Sequence, residues 1–442
     1  MRLYTSWGRY PPSNPAEVLP LSWVSEPPDF DQCSHPVLAY GKGRSYGDCC
    51  LNNGGALLDT SGLDRFIRFD ADRGILRCEA GVTLQSALRM ILPANWFLPV
   101  TPGTQFVTVG GAIANDVHGK NHHKEGSFGC HVLSFELLRS DRGRVLCSRE
   151  HNKDLFEATV GGLGLTGLIL WAELKLKRIC GVYIDSEQIR FKDLEEFFEL
   201  AAASDESYEY TVAWLDCAPT GKRLGRGILT RGNHSNTRTS NIPVKRASSL
   251  VRGLNAPEIL ISRPTIRAFN WMYFHGHFRR IATSTVYFEN FFYPLDRVAD
   301  WNRLHGRRGF LQYQFVVPYE KREAVREVLQ LTADSREVCA LSVLKVFGAV
   351  HSVGLLSFPR PGVTLAMDFP FRGPSTLDLC ERFDEVVKRN AGVVYPAKDA
   401  RMSSETFQTY YPGWTKFSEF LDPRFGSDFW RRVVPTTRGA GT

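Results

Sequence analysis

At 442 residues the chain is too long for one ordinary hydrophobic core, so two domains are expected. Its 43% hydrophobic and 23% charged residues are those of a soluble globular protein, and no apolar run reaches the roughly 18 residues of a membrane span. Ten scattered cysteines form no CxxC pair, which argues against a structural zinc site and fits a reducing cytoplasm. The N-terminal MRLYTSWGRYPPSNP lacks the apolar core of a signal peptide, and no internal repeat or low-complexity tract is visible.

In chain order, the first strong signal is a set of three glycine-rich segments. GKGRSYGD spans 41–48, TPGTQFVTVGGAIAND spans 101–116 and VGGLGLTGLI spans 160–169. Backbone N–H groups in such turns can approach a phosphate because no Cβ intervenes. Three of them, about 60 residues apart, point to a long phosphate-bearing ligand that touches several turns. In the second segment, 107–109 reads as a strand end. Gly110 and Gly111 then open a helical turn, AIAND, whose N-terminus would seat a pyrophosphate. His118, His122 and His123 follow. HxxxHH lacks an acidic partner at helical spacing, and Gly119 and Asn121 break the face, so no metal is expected.

The third segment contains GxGxxG at Gly162, Gly164 and Gly167, but its context is reversed. A dinucleotide fingerprint needs a strand before and a helix after. Here a helical stretch at 154–160 comes first. A period-two strand at 168–177 comes second, with Leu170, Ala172, Leu174 and Leu176 on one face.

Residues 219–280 carry twelve Lys or Arg and one acid, Glu258, for a local charge of +11 against −4 for the rest. The part at 221–240 is rich in Gly, Ser, Thr and Asn and reads as a mobile loop. It is either a solvated insertion or a basic flap, carrying Arg223, Arg226 and Arg231, beside an anionic substrate or membrane face. No recognised nucleic-acid-binding motif accompanies the charge, so nucleic acid is not an expected partner. Further on, 310–317 reads as a strand with Gln312 and Gln314 on one face, and 320–331 as a helix. The stretches 343–347 and 363–369 read as strands, and a helix then ends at Gly392, read as its C′ glycine. That order suits an antiparallel sheet with helices on one face.

At this point the motifs carry a resemblance. GKGRSYGD, TPGTQFVTVGGAIANDVHGKNHH, GSFGCHV and GGLGLTG resemble the FAD-binding half of the vanillyl-alcohol-oxidase superfamily. Within it, HGKNHH, FLQYQFVVP, LKVFG, LLSFPRPG, MDFP and AKDARM resemble the decaprenylphosphoryl-β-D-ribose 2'-oxidase family. The resemblance implies an α+β protein. Residues 1–182 would form a PCMH-type FAD-binding domain and 183–392 a second α+β substrate domain on an antiparallel sheet. Residues 393–442 would return to the FAD domain.

It implies FAD held by Gly41, Lys42, Gly43, Arg44, Ser45, Tyr46, Gly47, Gly103, Thr108, Val109, Gly110, Gly111, Asn115, Asp116, Val117, His118, Ile169 and Tyr395. Lys398, His118 and Tyr46 would be catalytic: the Lys398 charge would stabilise a developing alkoxide or reduced flavin, and His118 would act as base or donor. Lys120, Gln312, Gln314, Lys345 and Thr364 would bind substrate. Arg44 stands where superfamily members with a histidyl–flavin bond carry histidine, so the FAD is expected to be non-covalent. Ala366 occupies a place where many family members have cysteine, and the basic segment does not align.

The implied activity is oxidation of a sugar's secondary hydroxyl, foremost the ribose 2'-OH of a polyprenylphosphoryl ribose. The keto product would pass to a separate NAD(P)H-dependent keto-reductase, giving net epimerisation to arabinose for cell-wall arabinan. A soluble sugar, alditol or glycosylated natural product is the alternative substrate, and a non-catalytic flavin-binding scaffold the alternative class. The expected location is cytoplasmic, at the inner membrane face through 219–280.

Overall fold

The computed structural model describes residues 3–219, 221–236, 255, 257 and 261–434. Three short strands, β1 (Glu17–Pro20), β2 (Val37–Tyr40) and β3 (Ala56–Asp59), form a parallel sheet in the order β1-β3-β2. Then come β4 (Phe66–Asp70), β5 (Ile75–Glu79), β6 (Trp96–Phe97), β7 (Val132–Arg139), β8 (Gly143–Ser148), β9 (Leu168–Lys175) and β10 (Lys177–Arg178). Five of these make an antiparallel sheet, β4-β5-β9-β7-β8, while β6 pairs with β10. The helices Leu84–Ile91, Val109–Ala114 and Lys153–Thr159 bury Leu88, Ile113 and Phe156 in the same core as Phe135 and Leu137 of β7. Helix, glycine turn and strand follow one another at 153–175, so the GxGxxG at 162–167 joins a helix to a strand, the reverse of a dinucleotide fold.

The second half is one eight-stranded antiparallel sheet. Its strands are β11 (Tyr183–Phe191), β12 (Tyr210–Leu215), β13 (Gly227–His234), β14 (Ile281–Tyr287), β15 (Phe310–Val317), β16 (Leu341–Phe347), β17 (Gly362–Pro370) and β18 (Val393–Val394). They run in the order β14-β11-β13-β12-β16-β17-β15-β18. One face packs on the helices Leu194–Ser204, Glu323–Asp334 and Pro374–Arg389, through Phe197, Val328 and Phe383 against Leu229, Tyr313, Phe315 and Leu365. Because side chains alternate along a strand, the other face carries the polar series. Register sets Gln312 opposite Asp368, Gln314 opposite Ala366 and Val316 opposite Thr364; across β17 the partners are Leu341, Val343 and Lys345.

Three expectations are corrected. Val109 is the first residue of a helix rather than a strand end, with Thr108 as its N-cap accepting from the Gly111 N–H. The helix before β18 stops at Arg389, and its left-handed residue is Ala391 (φ 53), not Gly392, whose N–H donates to the Val387 carbonyl. Within the basic segment, 227–234 is not a loop but an interior strand, β13, paired with β11 over its length and with β12 over 227–232. Arg226 is ion-paired with buried Asp216, and Arg231 with Glu187, so neither belongs to a free flap. Residues 220, 237–254, 256 and 258–260 of that segment lie outside the described residues.

Candidate active site

The polar face of the large sheet and the glycine turns of the first half enclose a cavity of about 300 Å³. All three glycine segments reach it, through Gly41, Gly43, Gly103, Gly110, Gly111, Gly164 and Gly167. The 41–47 loop is its best anion seat. The amide N–H groups of Lys42, Gly43, Arg44 and Ser45 have no hydrogen-bond partner among the described residues, and all four residues line the cavity. Gly43 adopts φ +59, which L side chains rarely adopt. Successive free amides of this kind form a concave seat for a phosphate. The Arg44 guanidinium lies 4.0 Å from the Trp7 ring centroid and 5.2 Å from that of Phe106.

The expected pyrophosphate seat at Gly110 and Gly111 is corrected. The Val109 N–H donates to Val82 (2.8 Å), that of Gly110 to Ala80 (2.8 Å), and that of Gly111 to Thr108 Oγ1 (3.1 Å). Those amides are engaged within the protein. The two glycines line the cavity by leaving space: a Cβ on Gly110 would sit 3.0 Å from that of Ala80.

The 41–47 loop is tied to the C-terminal return. Tyr46 N–H donates to Ala397 at 2.9 Å, in the turn Pro396–Lys398. Gly47 admits the backbone of Asp399 so closely that a Cβ would overlap it. Arg432 then bridges Asp48 (2.8 Å) and Asp399 (2.9 Å). This latch sets the Lys398 ammonium 3.6 Å from the Tyr46 ring centroid. Burial pushes Lys398 down from the usual lysine range, and the charge of Asp368 opposes that.

Opposite stand the glutamines of β15. Gln314 Nε2 lies 3.0 Å from His118 Nε2 and 3.2 Å from Thr364 Oγ1; Gln312 Nε2 donates to Asp368 Oδ1. Burial, then Lys345, His122 and Lys398, hold the His118 imidazole well below its ordinary value, so it is neutral. With Nε2 facing the Gln314 amide donor, the other nitrogen, Nδ1, carries the proton and has no partner among the described residues. Lys345 donates to the Gly119 carbonyl (3.1 Å), and burial with the charges of Lys120 and Lys398 brings it down to about 7. Tyr395 joins the halves: its hydroxyl donates to the Asn115 carbonyl (2.7 Å) and its N–H to the Gln314 carbonyl (2.9 Å).

These features fit FAD: free loop amides for a pyrophosphate, a cavity reached by three glycine turns, and buried cations, Lys345 and Lys398, on its wall. A family model described as FAD binding domain matches residues 30–148. The decaprenylphosphoryl-beta-D-ribose oxidase of Mycolicibacterium smegmatis is 36% identical over 414 residues, 90% of this chain and 89% of that protein. The chain belongs to the decaprenylphosphoryl-β-D-ribose oxidase family. An uncharacterized Streptomyces coelicolor protein, named for the mprA 5' region, is 31% identical over 80% of this chain and its own full length. Human Delta(24)-sterol reductase is 31% identical over 110 residues only, 25% of this chain and 21% of that protein. The protein is thus an FAD-binding oxidoreductase of this family, and its α+β architecture agrees with the expected one.

Nearly all the expected site residues come together. Gly41, Lys42, Gly43, Arg44, Ser45, Tyr46, Gly103, Thr108, Gly110, Gly111, Asn115, Val117, His118, Ile169, Gln312, Gln314, Lys345, Tyr395 and Lys398 line the cavity. Five stand behind the wall. Gly47 abuts Asp399, and Val109 is core. Asp116 accepts from Gly129 N–H (2.8 Å) and Ser357 Oγ (2.6 Å), which makes it a brace of the loop. Lys120 donates to the Phe292 carbonyl (2.9 Å), and Thr364 supports Gln314. His122 is buried with its ring tilted against Phe347 (centroids 4.4 Å apart), and neither ring nitrogen is partnered among the described residues. No cluster of metal ligands occurs among the described residues.

Sequence reasoning missed Trp7, Cys49, Cys50 and Trp301 on the wall, and Asp368 behind Gln312. Alternation along β17 could have found Asp368, since it shares a face with Thr364 and Ala366.

Proposed function

We propose that this enzyme oxidises the 2'-hydroxyl of a ribose carried on a polyprenyl phosphate, giving a 2'-keto sugar. The observation that carries this reading is the group of Lys398, Lys345, His118, Gln312 and Gln314 at one end of the cavity, in a chain alike over 90% of its length to an oxidase named for that substrate. Bound FAD would supply the acceptor for the hydride lost from the carbon bearing the hydroxyl. The chain's residues provide the rest. Gln312 and Gln314 offer hydrogen bonds to sugar oxygens, and His118 stands beside Gln314. Lys398 provides positive charge where an alkoxide develops, and the hydroxyl proton passes to the amine of Lys345, which burial brings down to about 7. Trp7, Trp301 and Tyr395 line the cavity and restrict water.

The FAD is held without a covalent bond. Arg44 cannot form the histidyl link, and the wall cysteines stay protonated: burial pushes Cys49 up to about 12 and Cys50 well above its usual value. Acid precipitation should leave yellow FAD in the supernatant; flavin in the pellet would sink this claim. The keto product requires a separate NAD(P)H-dependent reductase to complete an epimerisation to arabinose. A cytoplasmic location agrees with ten free cysteines, all among the described residues.

Contact with an anionic membrane face is part of the same reading, carried by the helix Arg263–Gly276 rather than by Arg226 and Arg231. Trp214 lies opposite Val343 on the cavity face of the sheet, and Tyr273 of that helix packs on Trp214 with ring centroids 4.8 Å apart. Beyond it Phe269, Trp271, Met272 and Phe278 are exposed, Phe278 to 91%. No acid falls between 261 and 280, while Arg267 and Arg279 are exposed. Aromatic and basic side chains together suit the headgroup boundary. No helix among the described residues is long and apolar enough to cross a membrane.

The test is anaerobic flavin reduction. A short-chain prenylphosphoryl ribose should bleach the flavin and yield the 2'-keto sugar, whereas free ribose and alditols should not. Equal reduction by a soluble sugar would overturn the lipid-linked assignment. Trp271→Ala with Phe278→Ala should lower binding to vesicles containing phosphatidylglycerol and leave reduction by the soluble short-chain substrate unchanged. Unaltered vesicle binding would remove the membrane contact from this reading.

A further inference from the structure

We propose that Arg432 is a positioning residue that couples the seating of FAD to the placement of Lys398. Its guanidinium joins Asp48, next to the 41–47 loop, to Asp399, next to Lys398, so order in the loop and order in the lysine turn support each other. The proposal rests on the reading that the loop seats FAD and that Lys398 acts on the reacting atoms. Arg432 lies on the helix Asp428–Val433. That helix is docked just beyond the loop. Asp428 N–H donates to the Leu51 carbonyl (2.8 Å), Asn53 N–H to Asp428 Oδ1 (2.8 Å) and Arg431 Nη1 to Asn52 Oδ1 (2.9 Å). From there Arg432 grips Asp48 with two bonds, Nε to Oδ2 (2.9 Å) and Nη2 to Oδ1 (2.8 Å). The same Nη2 reaches Asp399 Oδ2 (2.9 Å), and Nη1 donates to the Met402 carbonyl. One planar fork thus serves both sides of the seam, a geometry that a lysine cannot reproduce. The side chains of Asp48 and Asp399 are 4% and 2% exposed, so two buried carboxylates share one cation. Removing the cation leaves two like charges unpaired at the seam.

The lysine turn has a separate anchor on the sheet. Arg401 Nη2 donates to Asp384 Oδ2, and Asp384 Oδ1 accepts from the Tyr313 hydroxyl (2.8 Å), between Gln312 and Gln314 on β15. Asp399 also closes its own turn, accepting from the N–H groups of Arg401 and Met402 (3.1 Å each). Loss of Arg432 therefore frees the turn from the loop, not from the sheet. Arg432, Asp48 and Asp399 do not line the cavity, so their effect on the reaction passes through their neighbours. Such a coupling is reciprocal: if FAD on the loop favours the clasped turn, the clasped turn favours FAD by the same factor.

The experiment has three readouts: FAD affinity by titration of flavin-free protein, the limiting rate of anaerobic flavin reduction at saturating FAD, and amide hydrogen exchange with and without FAD. Arg432→Met should weaken FAD by about fivefold or more, the lower end of typical coupling between sites. Its limiting rate per bound flavin should also fall by about fivefold or more, because saturating FAD does not restore the turn. In the wild type FAD should slow exchange both at 42–45 and at 398–402; in Arg432→Met it should slow exchange at 42–45 alone. Asp399→Asn, remote from the loop amides, should weaken FAD as well, yet add nothing in the Arg432→Met background. Arg432→Lys should recover part of each loss. Should Arg432→Met fail to fold, Arg432→Lys and Asp399→Asn carry the same test.

A wild-type limiting rate in Arg432→Met would overturn the proposal. So would FAD-dependent protection of 398–402 that survives the substitution, or exchange there that is faster by the same factor with and without FAD, the mark of a merely structural arginine. Additive losses of FAD affinity in Arg432→Met with Asp399→Asn would overturn it too. If Lys398→Ala reduces its flavin at the wild-type rate while Arg432→Met weakens FAD and loses the protection at 398–402, the coupling stands and the reading of Lys398 falls.

Discussion

The cavity has two unlike walls. On the first-half side the wall is backbone: free amides at residues 42–45, glycines at 41, 103, 110 and 111, and few charges. On the sheet side it is side chain: Gln312, Gln314 and Lys345 stand on neighbouring strands, with Asp368 behind them and Lys398 on the adjoining turn. The division separates holding from reacting. Backbone amides carry no proton that titrates near neutrality, so the cofactor grip does not change with pH. Buried lysines and carboxylates have values displaced by desolvation, so the reacting end is tunable. Changes to the first wall should therefore cost cofactor affinity, and changes to the second should cost rate.

The largest expected effect lies on the second wall. Lys398→Ala should lower flavin reduction by substrate by a factor on the order of 10² or more, because the ammonium acts as charge develops. FAD content should match the wild type. A mutant that loses its FAD at the same concentration would show that the two walls are not separable.

Next comes the first wall. Gly43→Ala places a Cβ at φ +59 near the Thr5 carbonyl and the Tyr40 side chain. Strain of about 1–3 kcal/mol in the FAD-binding loop should weaken FAD by about tenfold or more. At saturating FAD the reduction rate should stay within about twofold of wild type, measured by stopped flow. A large loss of rate at full occupancy would break the distinction.

Lys345→Met gives a smaller effect and sharpens the account of the second wall. Burial lowers the folded-state value of Lys345 to about 7, below its unfolded value. Between the two the unfolded chain binds the extra proton, so this residue makes stability rise with pH. Replacing it should raise Tm by about 2 °C at pH 7. The gain should fade as pH rises towards about 10.4, the ordinary lysine value, and vanish above it, where Lys345 becomes neutral in the unfolded chain as well. A gain that does not change with pH would point to packing instead of charge.

The smallest effect concerns Arg223, exposed and outside the cavity. Arg223→Gln should change KM for a prenylphosphoryl ribose by less than about twofold at physiological salt, where exposed charges are screened over about 8 Å. A steep, salt-dependent rise in KM would restore the basic flap that β13 removed.

The two walls also differ in how far they could be read in advance. Gly41 and Gly43 were visible as phosphate-seating glycines, because the requirement is local: no Cβ within a turn. The same logic misplaced the pyrophosphate at Gly110, because nothing in VTVGGAIAND reveals that Val82 and Ala80 will take its amides. Gln312 and Gln314 were legible as one face of a strand from period-two alternation. That Asp368 would stand opposite Gln312 depends on register between strands more than 50 residues apart. Likewise 227–234 looked like a loop, since Gly, Asn and Thr mark turns; pairing on both edges made it a strand by tertiary context.

By itself, the sequence determined the periodicities, the glycine turns, the reversed order at 153–175 and the family, all properties of residues near one another or of matching motifs. Only the tertiary structure decided which amides stay free, which arginines are paired, and which charges share a desolvated space. The physical reason is that hydrogen bonding and electrostatics are settled by distance and burial, and those arise only when strands from separate parts of the chain take their register. The pairs Lys398–Tyr46 and Gln312–Asp368 are such a case: residues spread over more than 350 positions, brought to one cavity because β15, β17, the 41–47 loop and the C-terminal turn close on it.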